Sequence, residues 1–486
     1  MSEHSILSKY PAYEATIGIE VHVQLSTKSK IFCTCSNDTS NEANQNICQV
    51  CCGYPGVLPV LNQQVVNYAI MAGLATNCTI NQQNEFARKH YFYPDLPKNY
   101  QITQSDKPVC SNGFITITLE NGTSKNIRLI RIHIEEDAGK NIHAPYSDES
   151  FVDLNRTGTP LLEVVTHPDI SNAFEARAYL KALRAIVMYL NICSGNMEEG
   201  AFRADTNISV RKKGAAQLGT RCELKNINSF KFIADAIEYE IERQILLLES
   251  GKKVIQETRL WDTKEHKTVM MRSKEEAADY RYFPDPDLPP LFIDQAWINR
   301  IKGNLPELPQ QKFERLCTTG GLTAYEAEIL INEPEIAHYY EQSRMATTSP
   351  LLINWILRDV MGYLKEHKIT LTDFKITPAL LAELMDLIDQ KVINARTAQE
   401  VFIHAAQTGQ SPKGIVKEQN LEQMSDTSEI EKIIQEIIQK NPQQAADYKA
   451  GKEKLFGFFV GQVMAKTKGK GDPQLINELL KRYLSN

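Results

Sequence analysis

Ile130-Arg131-Ile132-His133-Ile134-Glu135-Glu136-Asp137-Ala138-Gly139-Lys140 begins as a strand and ends as a run of acids. Ile130, Ile132 and Ile134 fall on one face at period two, and Arg131, His133 and Glu135 fall on the other. Three successive acids repel one another, and a divalent metal relieves such repulsion. A solvated strand end with a charged turn is the plainer reading of the same residues. Alternation puts Glu135 rather than Glu136 on the polar face only if the strand stays regular that far.

Three further stretches share this character. Residues 17–25 alternate Ile17, Ile19, Val21, Val23 and Leu25 with Gly18, Glu20, His22 and Gln24. Glu20 and His22 therefore project the same way, about 7 Å apart along the strand. Residues 202–210 place Arg203, Asp205, Asn207 and Ser209 on one face, and 221–226 place Arg221, Glu223 and Lys225 on one face. Together with 127–135 these strands predict an antiparallel sheet with one face on the core and one face open. The open face carries Glu20, His22, either Glu135 or Glu136, Asp205 and Glu223, with Arg203, Arg221 and Lys225 between them. Carboxylates at this density suit Mg²⁺ bridging the phosphates of ATP. The interleaved cations suit the phosphates themselves. There is no G-x-x-x-x-G-K-[ST] stretch, so nucleotide chemistry has to rest on the sheet rather than on a P-loop.

Cys33-Thr34-Cys35 and Cys48-Gln49-Val50-Cys51-Cys52 flank a short loop of Asn, Ser and Thr. Two close cysteine pairs around a loop too polar to build a core predict a zinc knuckle over 33–52. Its ligands are Cys33, Cys35, Cys48 and Cys51, with Cys52 a packed neighbour. Four thiolates leave no open position, so the zinc is structural. The competing reading is a group of reduced, buried thiols.

The whole chain, 486 residues with 23% charged and 42% hydrophobic side chains, is ordinary for a globular protein of about three domains. A net charge of −6 excludes a strongly basic nucleic-acid binder as a description of the whole, though not a local basic patch. The first residues lack the basic and apolar segments of a signal peptide, and no apolar run approaches the ~20 residues that span a bilayer. The expectation is a cytoplasmic protein with no membrane segment and no disulfide framework.

Arg88-Lys89-His90-Tyr91-Phe92-Tyr93-Pro94 opens a loop of cations, aromatics and prolines, echoed at Asp279-Tyr280-Arg281-Tyr282-Phe283-Pro284. Such loops suit an anionic or planar ligand as well as a rigid structural role. Helices are predicted over 63–75, 172–190 and 229–250. Prolines cluster near 290, and beyond them the pattern is helical: 308–317, 324–332, 350–366, 378–389, 396–408, 429–440, 443–465 and 473–484. A break at 409–414 divides these into two sets. Lys466, Lys468 and Lys470 precede the last helix, where flexible lysines suit a phosphate backbone and equally an ordinary linker.

Several of these motifs resemble the B-subunit family of the aspartyl/glutamyl-tRNA(Asn/Gln) amidotransferases. They are Ile19-Glu-Val-His-Val-Gln-Leu25, the two cysteine pairs, Tyr91-Phe-Tyr-Pro-Asp-Leu-Pro97, His133-Ile-Glu-Glu-Asp-Ala-Gly-Lys140, Asp279-Tyr-Arg-Tyr-Phe-Pro284 and Phe456-Gly-Phe-Phe-Val-Gly-Gln-Val-Met464. The resemblance implies an α+β fold: a cradle domain over 1–294 with a sheet akin to glutamine synthetase, a helical domain over 295–408, and a helical tail over 409–486 that meets tRNA. It implies a heterotrimer with two partners, the amidase (glutaminase) chain and a small third chain, with ammonia passing from the amidase. It also implies that the B-type chain phosphorylates the misacylated Glu-tRNA(Gln) or Asp-tRNA(Asn) with ATP, after which ammonia displaces the phosphate. The Mg²⁺ roles carry over onto Glu20, His22, Glu135, Glu136, Asp205 and Glu223. Arg88 and Lys89 become candidates for the phosphates or a channel mouth, and Lys466, Lys468 and Lys470 for tRNA. No amidase-type Ser-Ser-Lys arrangement or evident Cys nucleophile is present, so glutamine hydrolysis falls to the partner. Two other readings compete: a free-standing ligase joining ammonia to a small acid, and a zinc-stabilised tRNA-binding scaffold. The lysine-bearing tail argues against the first and the acidic face against the second.

Overall fold

The computed structural model describes residues 5–143, 149–273, 279–423, 427–467 and 471–485. It is a mixed α+β structure that divides into two compact units, Met1–Gly321 and Leu322–Asn486.

The first unit contains β1 (Tyr13–Gln24), α1 (Gln63–Ala75), β2 (Ala87–His90), β3 (Tyr100–Thr103), β4 (Ser124–Glu136), β5 (Pro160–Thr166) and α2 (Ala173–Tyr189). It continues with β6 (Phe202–Lys212), β7 (Cys222–Ile227), α3 (Phe230–Glu249), β8 (Glu257–Asp262), β9 (Lys267–Ser273), α4 (Gln295–Gly303) and α5 (Pro309–Thr318). One sheet runs in the order β9-β8-β7-β6-β1-β5-β4, followed by the short segments Cys110–Ser111 and Thr79–Ile80. Ile17, Ile19, Val21 and Val23 of β1 are at most 1% exposed and pack with α1, α2 and α3 in one core. Their β-branched side chains suit the pleated, buried face, and the polar residues alternating with them are left on the opposite side.

Two sheet expectations need correction. The sheet is not wholly antiparallel, because β7 and β8 pair in parallel. The whole of α3 lies between them, which supplies the long crossover a parallel pair requires. Nor does Ile130 join Ile132 and Ile134 in the core. Against β5, Arg131 stands opposite Val165 and Leu129 opposite Thr166, so Ile130 is an unmatched extra residue. Ile127, Leu129, Ile132 and Ile134 are fully buried, whereas Ile130 is 37% exposed. This β-bulge switches the face on which odd-numbered residues fall.

The proline cluster near 290 takes part in short strand pairings. Phe283 pairs with Arg88 of β2, and Leu291–Phe292 pairs with Gln83–Asn84. Prolines are tolerated in such short edge pairings. Beyond them Ile298 joins the main core, and the Trp297 indole donates to Asn67 of α1 at 2.8 Å. The first unit therefore runs past the expected boundary at 294.

The second unit is helical. Pro334–Ala346, outside every helix expected from periodicity, is a helix with Pro334 at its first turn. The expected helix 350–366 is Leu352–Trp355 and Met361–His367 joined by a wider π turn at Ile356–Val360. The expected helix 443–465 is split into Pro442–Lys449 and Leu455–Lys466 at Gly451, whose φ is 100°. Ile430, Ile434, Phe459, Val463, Ile476 and Leu480 form a small core of their own. Lys466 is half exposed and lies 3.1 Å from Glu436, while Lys468 and Lys470 lie outside the described residues. Among the described residues no helix is long and apolar enough to cross a membrane.

The β8–β9 hairpin is tied to α3 through Glu240, which is fully buried. Its carboxylate accepts from Arg243 at 2.7 Å, Gln244 at 2.8 Å and Thr268 at 3.0 Å, and Arg259 lies 3.4 Å away. Removing one member strands buried charge, which costs about 3–5 kcal/mol. Glu240→Ala should lower stability by about 3 kcal/mol or more in urea denaturation; a loss near that of an exposed pair, below about 1 kcal/mol, contradicts this account.

Candidate functional site

Strand register assembles the open face. Glu20 of β1 stands opposite Asp205 of β6, and His22 stands between Arg203 on one side and Glu163 of β5 on the other. Glu163 in turn stands opposite His133 of β4. Above this face lies a cavity of ≈ 490 Å³, lined among others by Glu20, His22, Lys89, Glu135, Glu163 and Tyr280.

At its centre the His22 Nε2 is 3.4 Å from Glu135 Oε1 and 3.6 Å from Glu163 Oε2. The ligand atoms of His22, Glu135 and Glu163 all lie within 4.8 Å of one another, close enough to hold one metal ion. Behind them His133 Nε2 is 3.0 Å from Glu163 Oε2, and Thr103 donates to Glu135 Oε2 at 3.2 Å. Burial opposes the charge on His133, but Glu163 and Glu135 outweigh burial and raise its pKa to about 9. Burial also opposes charge on the two carboxylates, yet the histidines hold both below the usual carboxylate range. Glu20 behaves oppositely: burial, with Glu163 adding repulsion, raises its pKa. Lys89 faces the cavity with its Nζ 4.9 Å from the Tyr280 ring centre. Burial works against its charge, and Glu135 and Glu163 override that effect.

The other end of the cavity is an ion-paired wall. Lys225 Nζ lies 2.6 Å from Asp205 and 3.0 Å from Glu223. Thr258 donates to Glu223 at 2.9 Å and Asn207 to Glu20 at 3.2 Å. Arg221 also lines the cavity. Asp205 and Glu223 thus share a cation rather than joining the His22 group.

Three expected residues face elsewhere. Glu136 falls on the opposite side of β4 from Glu135, where its carboxylate accepts from the Lys98 ammonium and from the Ile102 N–H at 2.8 Å. Arg203 donates to Asp137 at 2.7 Å instead of reaching into the cavity. Arg88 is held by Asp285 and Asp287 at 2.9 and 2.7 Å and stacks over Tyr100. Conversely, Glu163 joins the site without having been expected there, and His133 joins His22 against the same carboxylates. The available signal was a single acid amid the apolar run Pro160–Thr166, but only register reveals that it faces His22 and His133.

The sulfur atoms of Cys33, Cys35, Cys48 and Cys51 also lie within 4.8 Å of one another, so these four could hold a second metal ion. The Cys48 N–H donates to Cys51 Sγ at 3.1 Å. A hydrogen bond from Cys33 is the main cause that draws the Cys51 thiol down to about 4, with Lys30 assisting. Lys30 is fully buried, 3.8 Å from that sulfur, and also donates to the Asn46 carbonyl at 2.8 Å. Four converging sulfurs and a polar loop with no core of its own fit a metal-ordered knuckle.

Residues 15–299 match the family described as the GatB/GatE catalytic domain, and residues 338–484 match the GatB domain. A Geotalea daltonii protein, named as the B chain of an aspartyl/glutamyl-tRNA(Asn/Gln) amidotransferase, is 54% identical, with 97% of this chain and 99% of that protein covered. The chain belongs to this family. Proteins of the same name from Thermodesulfovibrio yellowstonii, 51% identical over 97% of this chain and 99% of their own length, and from Myxococcus xanthus, 50% identical over 98% and 99%, agree.

The His133 pair carries a pH signature in metal-free protein. A folded pKa of about 9 against an ordinary 6.5 contributes stability that is complete below pH 6.5 and lost as pH rises through 9. Glu163, held low, contributes above the ordinary carboxylate range and loses its contribution as pH falls. With EDTA present, the melting temperature should fall between pH 6.5 and 9, and His133→Gln should flatten that fall. An identical decline in variant and wild type contradicts the assignment.

Proposed function

We propose that the chain is the tRNA-dependent, ATP-using member of a heterotrimeric amidotransferase. It converts Glu-tRNA(Gln) or Asp-tRNA(Asn) into the amide form, with a glutaminase chain and a small third chain as partners. The carrying observation is the convergence of His22, Glu135 and Glu163 under one cavity in a chain of this family. The names of the relatives cited above supply the reaction and its multi-chain setting.

A side-chain carboxylate cannot be amidated directly, because oxide would have to leave. Its oxygen instead attacks the γ-phosphorus of ATP, the bond to the β–γ bridging oxygen breaks, and ADP departs. Ammonia then attacks the acyl carbon, phosphate leaves with the electron pair of the C–O bond, and a proton is lost. Both steps need charge balance and positioning more than a covalent nucleophile. Glu135 and Glu163 offer carboxylate oxygens that suit a divalent ion such as Mg²⁺, with His22 as a third donor and Glu20 beside them. Bound there, the ion would offset phosphate charge. Lys89, Arg131 and Arg221 line the same cavity and suit the phosphate oxygens. Lys225 keeps Asp205 and Glu223 compensated, so that this wall does not repel an anion.

In this reading the sheet unit is the glutamine-synthetase-like cradle, the following helices are a supporting domain, and the last helices meet tRNA through Lys466 and its neighbours. The four cysteines hold a structural zinc ion, and the setting is cytoplasmic.

ATP hydrolysis by the assembled heterotrimer, with and without Glu-tRNA(Gln), tests the assignment. Turnover should require the aminoacylated tRNA. Glu135→Gln and Glu163→Gln should each lower it by more than about 100-fold, beyond the loss typical of a supporting residue, while tRNA affinity is kept. Turnover that survives both changes would place the chemistry elsewhere. Elemental analysis of the purified chain should find about one zinc per chain. The double change Cys48→Ser, Cys51→Ser should abolish it, and zinc retained in that variant rules out the knuckle.

A further inference from the structure

Gln104 follows β3 directly and is 2% exposed. Its side-chain oxygen accepts two backbone bonds, from the Val109 N–H at 3.1 Å and from the Ile134 N–H at 3.0 Å. These anchors fix which way the amide points. Turned over, its NH₂ group would face two N–H donors and leave both without an acceptor. In the fixed orientation the side-chain nitrogen finds no acceptor among the described residues. Gln104 also lines the carboxylate cavity, between Thr103, which donates to Glu135, and Ser105. A buried donor without a partner is costly, and a chain that keeps one in a cavity wall has a use for it when the cavity is filled.

The neighbouring groups indicate the missing partner. Lys89, Arg131 and Arg221 share the cavity lining with Gln104, so an anion is what the wall can receive. A neutral amide adds a directed hydrogen bond there without adding charge to the site. We infer that Gln104 is a substrate-binding residue whose NH₂ group donates to an anionic oxygen of the reactants. That oxygen belongs either to the transferring phosphoryl group of ATP or to the side-chain carboxylate of the aminoacyl-tRNA. The inference rests on the cavity being the ATP-dependent amidation site.

Gln104→Glu is the sharp variant. One carboxylate oxygen keeps both backbone bonds, and the other replaces the donor. Gln104→Met removes the donor without introducing charge, at the cost of the two anchors, and should melt lower than Gln104→Glu. Kinetics of the assembled complex are measured with ATP and Glu-tRNA(Gln) varied in turn, and binding of a non-hydrolysable ATP analogue is measured by calorimetry. Both variants should raise the KM of one reactant by tenfold or more. A rise for ATP, with equally weakened analogue binding, identifies the phosphoryl oxygen. A rise for the aminoacyl-tRNA alone, with analogue binding unchanged, identifies the carboxylate. If Gln104→Glu does not assemble, Gln104→Met is read by the same criteria. KM, kcat and analogue affinity within twofold of wild type overturn the inference and leave the amide a purely structural anchor. A wild-type complex without tRNA-dependent ATP turnover overturns the reading of the cavity itself, whatever the variants do.

Discussion

The constraint on which the site depends is the register of β4 against β5. In an uninterrupted strand, Ile127 and Leu129 in the core would carry residues 131, 133 and 135 into the core with them. The bulge at Ile130 shifts the alternation by one, so that Ile132 and Ile134 take over the apolar face. Arg131, His133 and Glu135 are thereby turned onto the cavity. One extra residue, left half exposed, sets the phase for every polar group on that strand. Glu136 then falls on the far side, where Lys98 compensates it.

Such a face is expensive, because Glu135 is buried and Glu163 and Glu20 are largely so. The structure offsets the cost with cations placed behind and between the acids along the cavity wall. His133 lies behind Glu135 and Glu163, and Lys225 bridges Asp205 and Glu223. His22 is left at the centre, in contact with two carboxylates. A divalent ion entering there would meet two carboxylates that are already ionised and already oriented by their neighbours. Glu20, whose pKa is raised, is the acid least compensated by its surroundings.

The periphery serves the same face. Glu240 fastens β8 and β9 onto α3, and β8 presents Thr258 to Glu223. The pairing of Phe283 with Arg88 brings Tyr280 and Tyr282 to the cavity rim beside Lys89. The prolines around 290 thus belong to short strand pairings beside the main sheet, and α4 continues the main core.

Local pattern was enough to recognise the main strands and helices, because apolar periodicity expresses burial directly. β1, β4, β6, β7, α1, α2 and α3 all follow from it, as does the grouping of Cys33, Cys35, Cys48 and Cys51 by spacing. Glu20, His22, Asp205 and Glu223 were legible as one polar face for the same reason. Local pattern could not say which strands are neighbours, and so Glu163 stayed hidden: it acquires meaning only between His22 and His133, across hydrogen bonds between segments far apart in the chain. Nor could it separate Glu135 from Glu136, since a bulge is an event of pairing and not of composition. The sequence by itself determined which residues alternate between core and solvent, because that is set by the side chains along one strand. Only the tertiary structure decided which acids meet, because register between strands is set by the joint packing of the whole sheet on its helices.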